Sequence, residues 1–133
     1  MAYSIGTLVL GFAAVAHVIF AYIETFGWGL PAVRKIAPSW LEGFKDTQAA
    51  EDHVDWAKRL AFNIGVYNLM LAIGLGWTCW AFAAQAPIAR ALGIFFAIFL
   101  LGAAAAALYT RVYRAFIAQG ILGVLILPTS ILI

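Results

Sequence analysis

The stretch HVIFAYIETFGWG, residues 17 to 29, sets a histidine and a glutamate into an apolar run. They are seven residues apart, two helical turns, so on a helix His17 and Glu24 occupy one face. On that face they are the candidate general acid and base, and hence the catalytic candidates of the chain. Further along, FNIGVYN supplies Asn63, Tyr67 and Asn68, and a later run supplies Gln119. Asn63 and Tyr67, four apart, share a helical face and could hydrogen-bond a developing charge. With His17 and Glu24 these four residues form the candidate ligand-binding set. A metal site is not expected, because amides and a phenol are poor partners for zinc or copper. A haem held by two histidines is disfavoured too, since His53 lies in a polar connection. No particular cofactor is implied.

The elements that must carry these groups follow from composition. Of 133 residues 65% are hydrophobic and 11% charged, and mean hydropathy is +0.98. Soluble domains run at roughly 45–50% apolar and 25% charged, so the chain belongs with membrane proteins. Its formal charge of +2 does not suggest a nucleic-acid partner, and its single cysteine, Cys79, excludes an internal disulfide. Four runs reach the roughly 20 apolar residues that a bilayer crossing takes. They predict helices over about 4–28, 58–82, 87–110 and 114–133, in one integral membrane domain covering 1–133. The first could be mistaken for a signal peptide, because Ala14-Val15-Ala16 looks like a cleavage site. Met1-Ala2-Tyr3-Ser4 lacks a basic leader, however, so a helix of the mature protein is expected.

Basic residues set the orientation. Seven of the eight, Arg34, Lys35, Lys45, Lys58, Arg59, Arg111 and Arg114, flank the first and third connections, and only Arg90 lies by the second. Both termini are therefore expected outside, with the first and third connections in the cytoplasm. The short second and third connections make helices two, three and four antiparallel neighbours. The long first connection carries Ser39-Trp40-Leu41-Glu42, a capping box opening a short helix. Trp40, Leu41 and Phe44 give that helix an apolar patch suited to the headgroup layer, with a soluble lid as the alternative. Trp28, Trp40 and Trp56 fall at one membrane boundary, and Trp77 and Trp80 near the other. The fold class is thus all-α, a four-transmembrane-helix bundle with a long cytoplasmic connection containing an interfacial helix.

In this layout the strong intramembrane polar groups gather in the cytoplasmic half. Counting about 1.5 Å per residue, Asn63 stands level with Glu24, and Tyr67 and Asn68 lie about one turn deeper. Desolvation should turn His17 and Glu24 inward, toward Asn63, Tyr67 and Gln119. Clamping helices together is one use for such a cluster; binding a ligand is the other.

The residues also carry a resemblance. His17-x4-Tyr22-x-Glu24-x-Phe26-x-Trp28, then Ala61-Phe62-Asn63-Ile64-Gly65-Val66-Tyr67-Asn68 with Leu71-Ala72-Ile73-Gly74-Leu75, then Ile117-Ala118-Gln119-Gly120 occur in that order. The chain resembles a family of small bacterial four-helix membrane proteins catalogued as a domain of unknown function. There the second helix typically reads Ala-Asn-Gln-Gly-x-Tyr-Asn, and the fourth carries Val-Gln-Gly. Ile64 stands where that family usually has Gln, and the first connection is longer here. The resemblance implies fold and a membrane location, the bacterial inner membrane, but no reaction.

Three functions stay open. The first is a pocket opening to the cytoplasm that binds, and in one version transforms, an amphipathic small molecule. Its apolar part would lie among Phe20, Phe62, Leu69 and Phe116, and its polar end at Glu24, Asn63, Tyr67 and Gln119. The second is an accessory or scaffold subunit of a larger membrane complex. The third is a transporter or channel, formed as a homo-oligomer. The lipid bilayer is a partner in all three.

Overall fold

The computed structural model describes residues 1–27 and 48–133, with side chains described for 1–27 and 58–133. The four helices are α1 (Ala2–Phe26), α2 (Gln48–Ala83), α3 (Ala89–Tyr109) and α4 (Tyr113–Ile131). No strand occurs among the described residues. Within them α1, Lys58–Ala83 of α2, α3 and α4 are each long and apolar enough to cross a membrane.

The spans match expectation to within a few residues, but α2 differs at its start. It begins at Gln48, ten residues before the predicted 58. Hydropathy marks where lipid begins, and says nothing of where a helix does. The segment QAAEDHVDWAKR holds no Gly or Pro, and its Ala, Gln, Glu, Lys and Arg are good helix formers. The polar stretch read as connection is therefore the first turns of the helix, and His53 lies on them. The capping box at Ser39, the interfacial helix around Trp40 to Phe44, and Trp28 lie outside the described residues. So do the side chains of His53 and Trp56.

The helices divide into two compact units: 1–15 with 72–133, and 16–71. In the first unit the helices meet in antiparallel order. Phe82 of α2 lies against Gly6 of α1, while the Cys79 Sγ donates to the Thr7 carbonyl at 3.3 Å. A Cβ on Gly123 of α4 would stand 3.1 Å from the Ala97 carbonyl of α3, and one on Gly120 would stand 3.7 Å from the Ala104 Cβ. Buried Ala89, Gly93, Ala97, Leu100, Ala104 and Ala107 recur every three or four residues along α3. Lipid tails are as apolar as these side chains, so close backbone approach, and not hydrophobicity, holds such helices together.

Buried hydroxyls in this unit are satisfied by their own helices. Thr78 donates to the Gly74 carbonyl at 2.8 Å and Ser130 to the Ile126 carbonyl at 2.7 Å. Both short connections begin with the same turn. After α2, Ala86 N–H bonds the Ala81 carbonyl and Gln85 N–H the Phe82 carbonyl; after α3, Val112 bonds Ala107 and Arg111 bonds Leu108. This is a Schellman ending, which places its central residue in the left-handed region. Gln85 and Arg111 occupy it at φ 51° and 60°, where glycine is the usual choice.

Candidate functional site

The second unit holds the C-terminal part of α1 and α2 up to Leu71. Its two helices approach closely at Gly65. A Cβ built there would overlap the Thr25 hydroxyl and stand 3.0 Å from the Ala21 carbonyl oxygen and 3.1 Å from the Thr25 nitrogen. Any larger residue would separate the helices, which is the structural use of this glycine.

The contact allows a hydrogen bond one turn away. Asn68 Nδ2 donates to the Glu24 Oε2 at 2.6 Å, and both residues are half-buried. Counting residues puts Asn63 level with Glu24, yet Asn68 makes the bond. The reason is the facing side of α2: Gly65 packs on α1, and around the helix Asn68 lies roughly 60° from it whereas Asn63 lies roughly 160° away.

His17 does lie on the face that Glu24 continues. Along α1 the buried residues Gly6, Leu10, Ala13, His17 and Ala21 recur at helical spacing, and half-buried Glu24 follows. His17 is 0% exposed, its ring edge-on to Phe20 with centroids 5.6 Å apart. Seven residues of rise put His17 and Glu24 about 10 Å apart along the axis. Side chains leaning the same way keep that separation, so a proton cannot pass directly between them.

The remaining candidates are described one by one. Asn63 is exposed at the surface of the unit, and Tyr67 is 73% exposed. Gln119 is half-buried on α4 in the other unit. Asn68, a member of the candidate set, is the residue whose bond to Glu24 is seen among the described residues.

A cavity of about 460 Å³ in the second unit is lined by Thr25, Lys58, Arg59, Phe62 and Asn63. Lys58 and Arg59 entered the sequence reading only as orientation signals. Their position at the start of the α2 span, five and four residues before Asn63, was the available clue that they share its end of the helix. The lining draws on two basic residues, an amide, a hydroxyl and one aromatic ring, and its surface is mostly apolar. In the first unit a groove of about 540 Å³ between α3 and α4 is lined by apolar residues such as Leu101, Leu108, Phe116 and Val124. It has no polar group to orient a ligand. Among the described residues no three His, Cys, Asp or Glu side chains cluster as metal ligands.

Four helices long and apolar enough to cross a bilayer make this a small multi-pass helical membrane protein. A family model described as "Protein of unknown function (DUF1304)" matches residues 11–130, and the chain belongs to that family. No curated protein and no solved structure matches it.

Proposed function

We propose that the protein binds an amphipathic small molecule at the α1–α2 hairpin. The observation that carries this reading is the cavity lined by Thr25, Lys58, Arg59, Phe62 and Asn63. Binding clefts are mostly apolar with a few placed polar groups, and here those groups stand at the end of a membrane span. A molecule with a polar head and an apolar tail satisfies both surroundings. Glu24 and Asn68 hold the hairpin beneath that level, and His17 packs farther along α1. In this reading the opening faces the cytoplasm of a bacterial inner membrane, with both termini outside, as the distribution of basic residues favours. We assign no reaction.

The test is mass spectrometry of the purified full-length chain for a retained molecule, with Asn63→Leu as the variant. Asn63 is exposed, so its loss should leave folding intact while retention falls. A wild-type protein that retains no amphiphile would overturn the reading.

Gly76 and Gly102 support an accessory-subunit reading. Both are exposed, and a Cβ on either would meet nothing within 4 Å. Bare backbone on an outer surface suits close approach by another helix, from a second copy or a larger complex.

A further inference from the structure

We propose that the groove between α3 and α4 seats an acyl chain of an anionic phospholipid whose phosphate rests at the α3–α4 turn. The site is separate from the α1–α2 cavity and does not depend on it. The groove, of about 540 Å³, draws its lining from Leu101 to Leu108 of α3 and from Phe116 to Leu125 of α4. Its floor is small: a Cβ on Gly120 would stand 3.7 Å from the Cβ of buried Ala104. Its rim is large, with Leu108, Ile117, Ile121 and Val124 each between 47% and 60% exposed. A helix docking in lipid prefers small residues that let backbones approach closely. A flexible chain instead follows an uneven apolar furrow, so the shape favours a lipid tail over the helix of a second copy.

The lining itself cannot orient a ligand, and the turn that closes one end of the groove supplies what it lacks. Arg111 N–H bonds the Leu108 carbonyl at 3.1 Å, and Phe116 N–H bonds the Val112 carbonyl at 3.1 Å. The turn is thereby fastened to two residues of the groove. Along α4, Arg114, Ile117, Ile121 and Val124 are spaced by three, four and three residues. Helical periodicity therefore sets Arg114 on the stripe that lines the groove, one turn beyond Ile117. Arg111 and Arg114 are exposed, and among the described residues neither side chain has an ion pair or hydrogen bond. Tyr109, 90% exposed, and Tyr113, 57% exposed, stand beside them. This turn joins the end of one apolar span to the start of the next, the level of lipid phosphates. Tyrosine is enriched at that level, and a guanidinium can meet two phosphate oxygens at once. Apolar groove and cationic turn are contiguous, as tail and phosphate are in one lipid molecule. A zwitterionic lipid fits the groove equally but brings a further cation beside the arginines.

The experiment is native mass spectrometry of the delipidated full-length protein in neutral detergent, titrated with phosphatidylglycerol or phosphatidylcholine of identical chains. Phosphatidylglycerol should bind about tenfold more tightly, a preference that shrinks as ammonium acetate is raised. Arg111→Gln and Arg114→Gln should each cut the preference to about threefold. Arg90→Gln, the same charge change at an exposed position by the other short connection, should leave it intact. Ala105→Phe, at an exposed lining position, should weaken both lipids by about tenfold and keep their ratio. Circular dichroism and thermal unfolding check that each variant is folded, and Leu108→Trp takes the place of Ala105→Phe if that one is not. Equal binding of the two lipids would overturn the proposal, as would an equal loss in Arg90→Gln. Undiminished binding by the groove-filling variant would place the tail elsewhere and overturn it too. A wild-type dimer that Ala105→Phe turns into a monomer would give the groove to a second copy and end the lipid reading.

Discussion

Asn68 donates to the Glu24 carboxylate at 2.6 Å, joining α1 to α2 one turn from the Gly65 contact. A carboxylate on an apolar span is costly to insert, so a fixed donor is worth more here than at a soluble surface. Interhelical hydrogen bonds in membranes average about 0.6 kcal/mol, whereas bonds to charged groups reach about 1.5–3 kcal/mol. A half-buried pair that keeps some access to water should fall between, near 1 kcal/mol.

Asn68→Leu should therefore lower stability by about 1 kcal/mol, since it strips the carboxylate of its donor. Glu24→Gln keeps the shape and a neutral acceptor and should cost less. A double-mutant cycle by unfolding in mixed micelles measures the coupling. Additive losses would mean that the pair does not act as a unit.

Gly65→Ala should be among the more damaging single-methyl changes in the chain. Its Cβ would meet the Thr25 hydroxyl and the Ala21 carbonyl, so α1 and α2 must move apart. Overpacking of this kind costs about 1–3 kcal/mol. Gly76→Ala, with open space at the same atom, should be neutral or stabilising by up to about 1 kcal/mol from helix propensity. Thermal unfolding of the two variants side by side tests the contrast. The same shift should also weaken the Asn68 bond, so Gly65→Ala and Asn68→Leu should combine to less than their sum.

Gln85 and Arg111 report the orientation. Both are exposed and stand at consecutive turns, so labels on them should reach opposite sides of the membrane. In a Cys79→Ala background, a cysteine at position 85 should react with an impermeant maleimide in intact cells. One at position 111 should react only after permeabilisation. The reverse pattern would put the hairpin cavity on the outer side.

The sequence by itself determined four apolar spans, because length and hydropathy bear directly on the cost of exposing backbone to lipid. It also determined that His17 and Glu24 lie on one face, since helical periodicity needs no neighbour. Tertiary structure alone decided which residue meets Glu24. Height along the bundle can be counted from sequence, but which face of α2 turns to α1, the face of Gly65, selects Asn68 over Asn63. It also decided what Gly65 is for, because a glycine reads as permissive until a backbone is found against it. In the sequence Lys58 and Arg59 carried a sign of charge and a place at the start of the α2 span. Packing α1 beside α2 brought them around one cavity with Thr25, Phe62 and Asn63, a juxtaposition across two helices that no one-dimensional spacing contains.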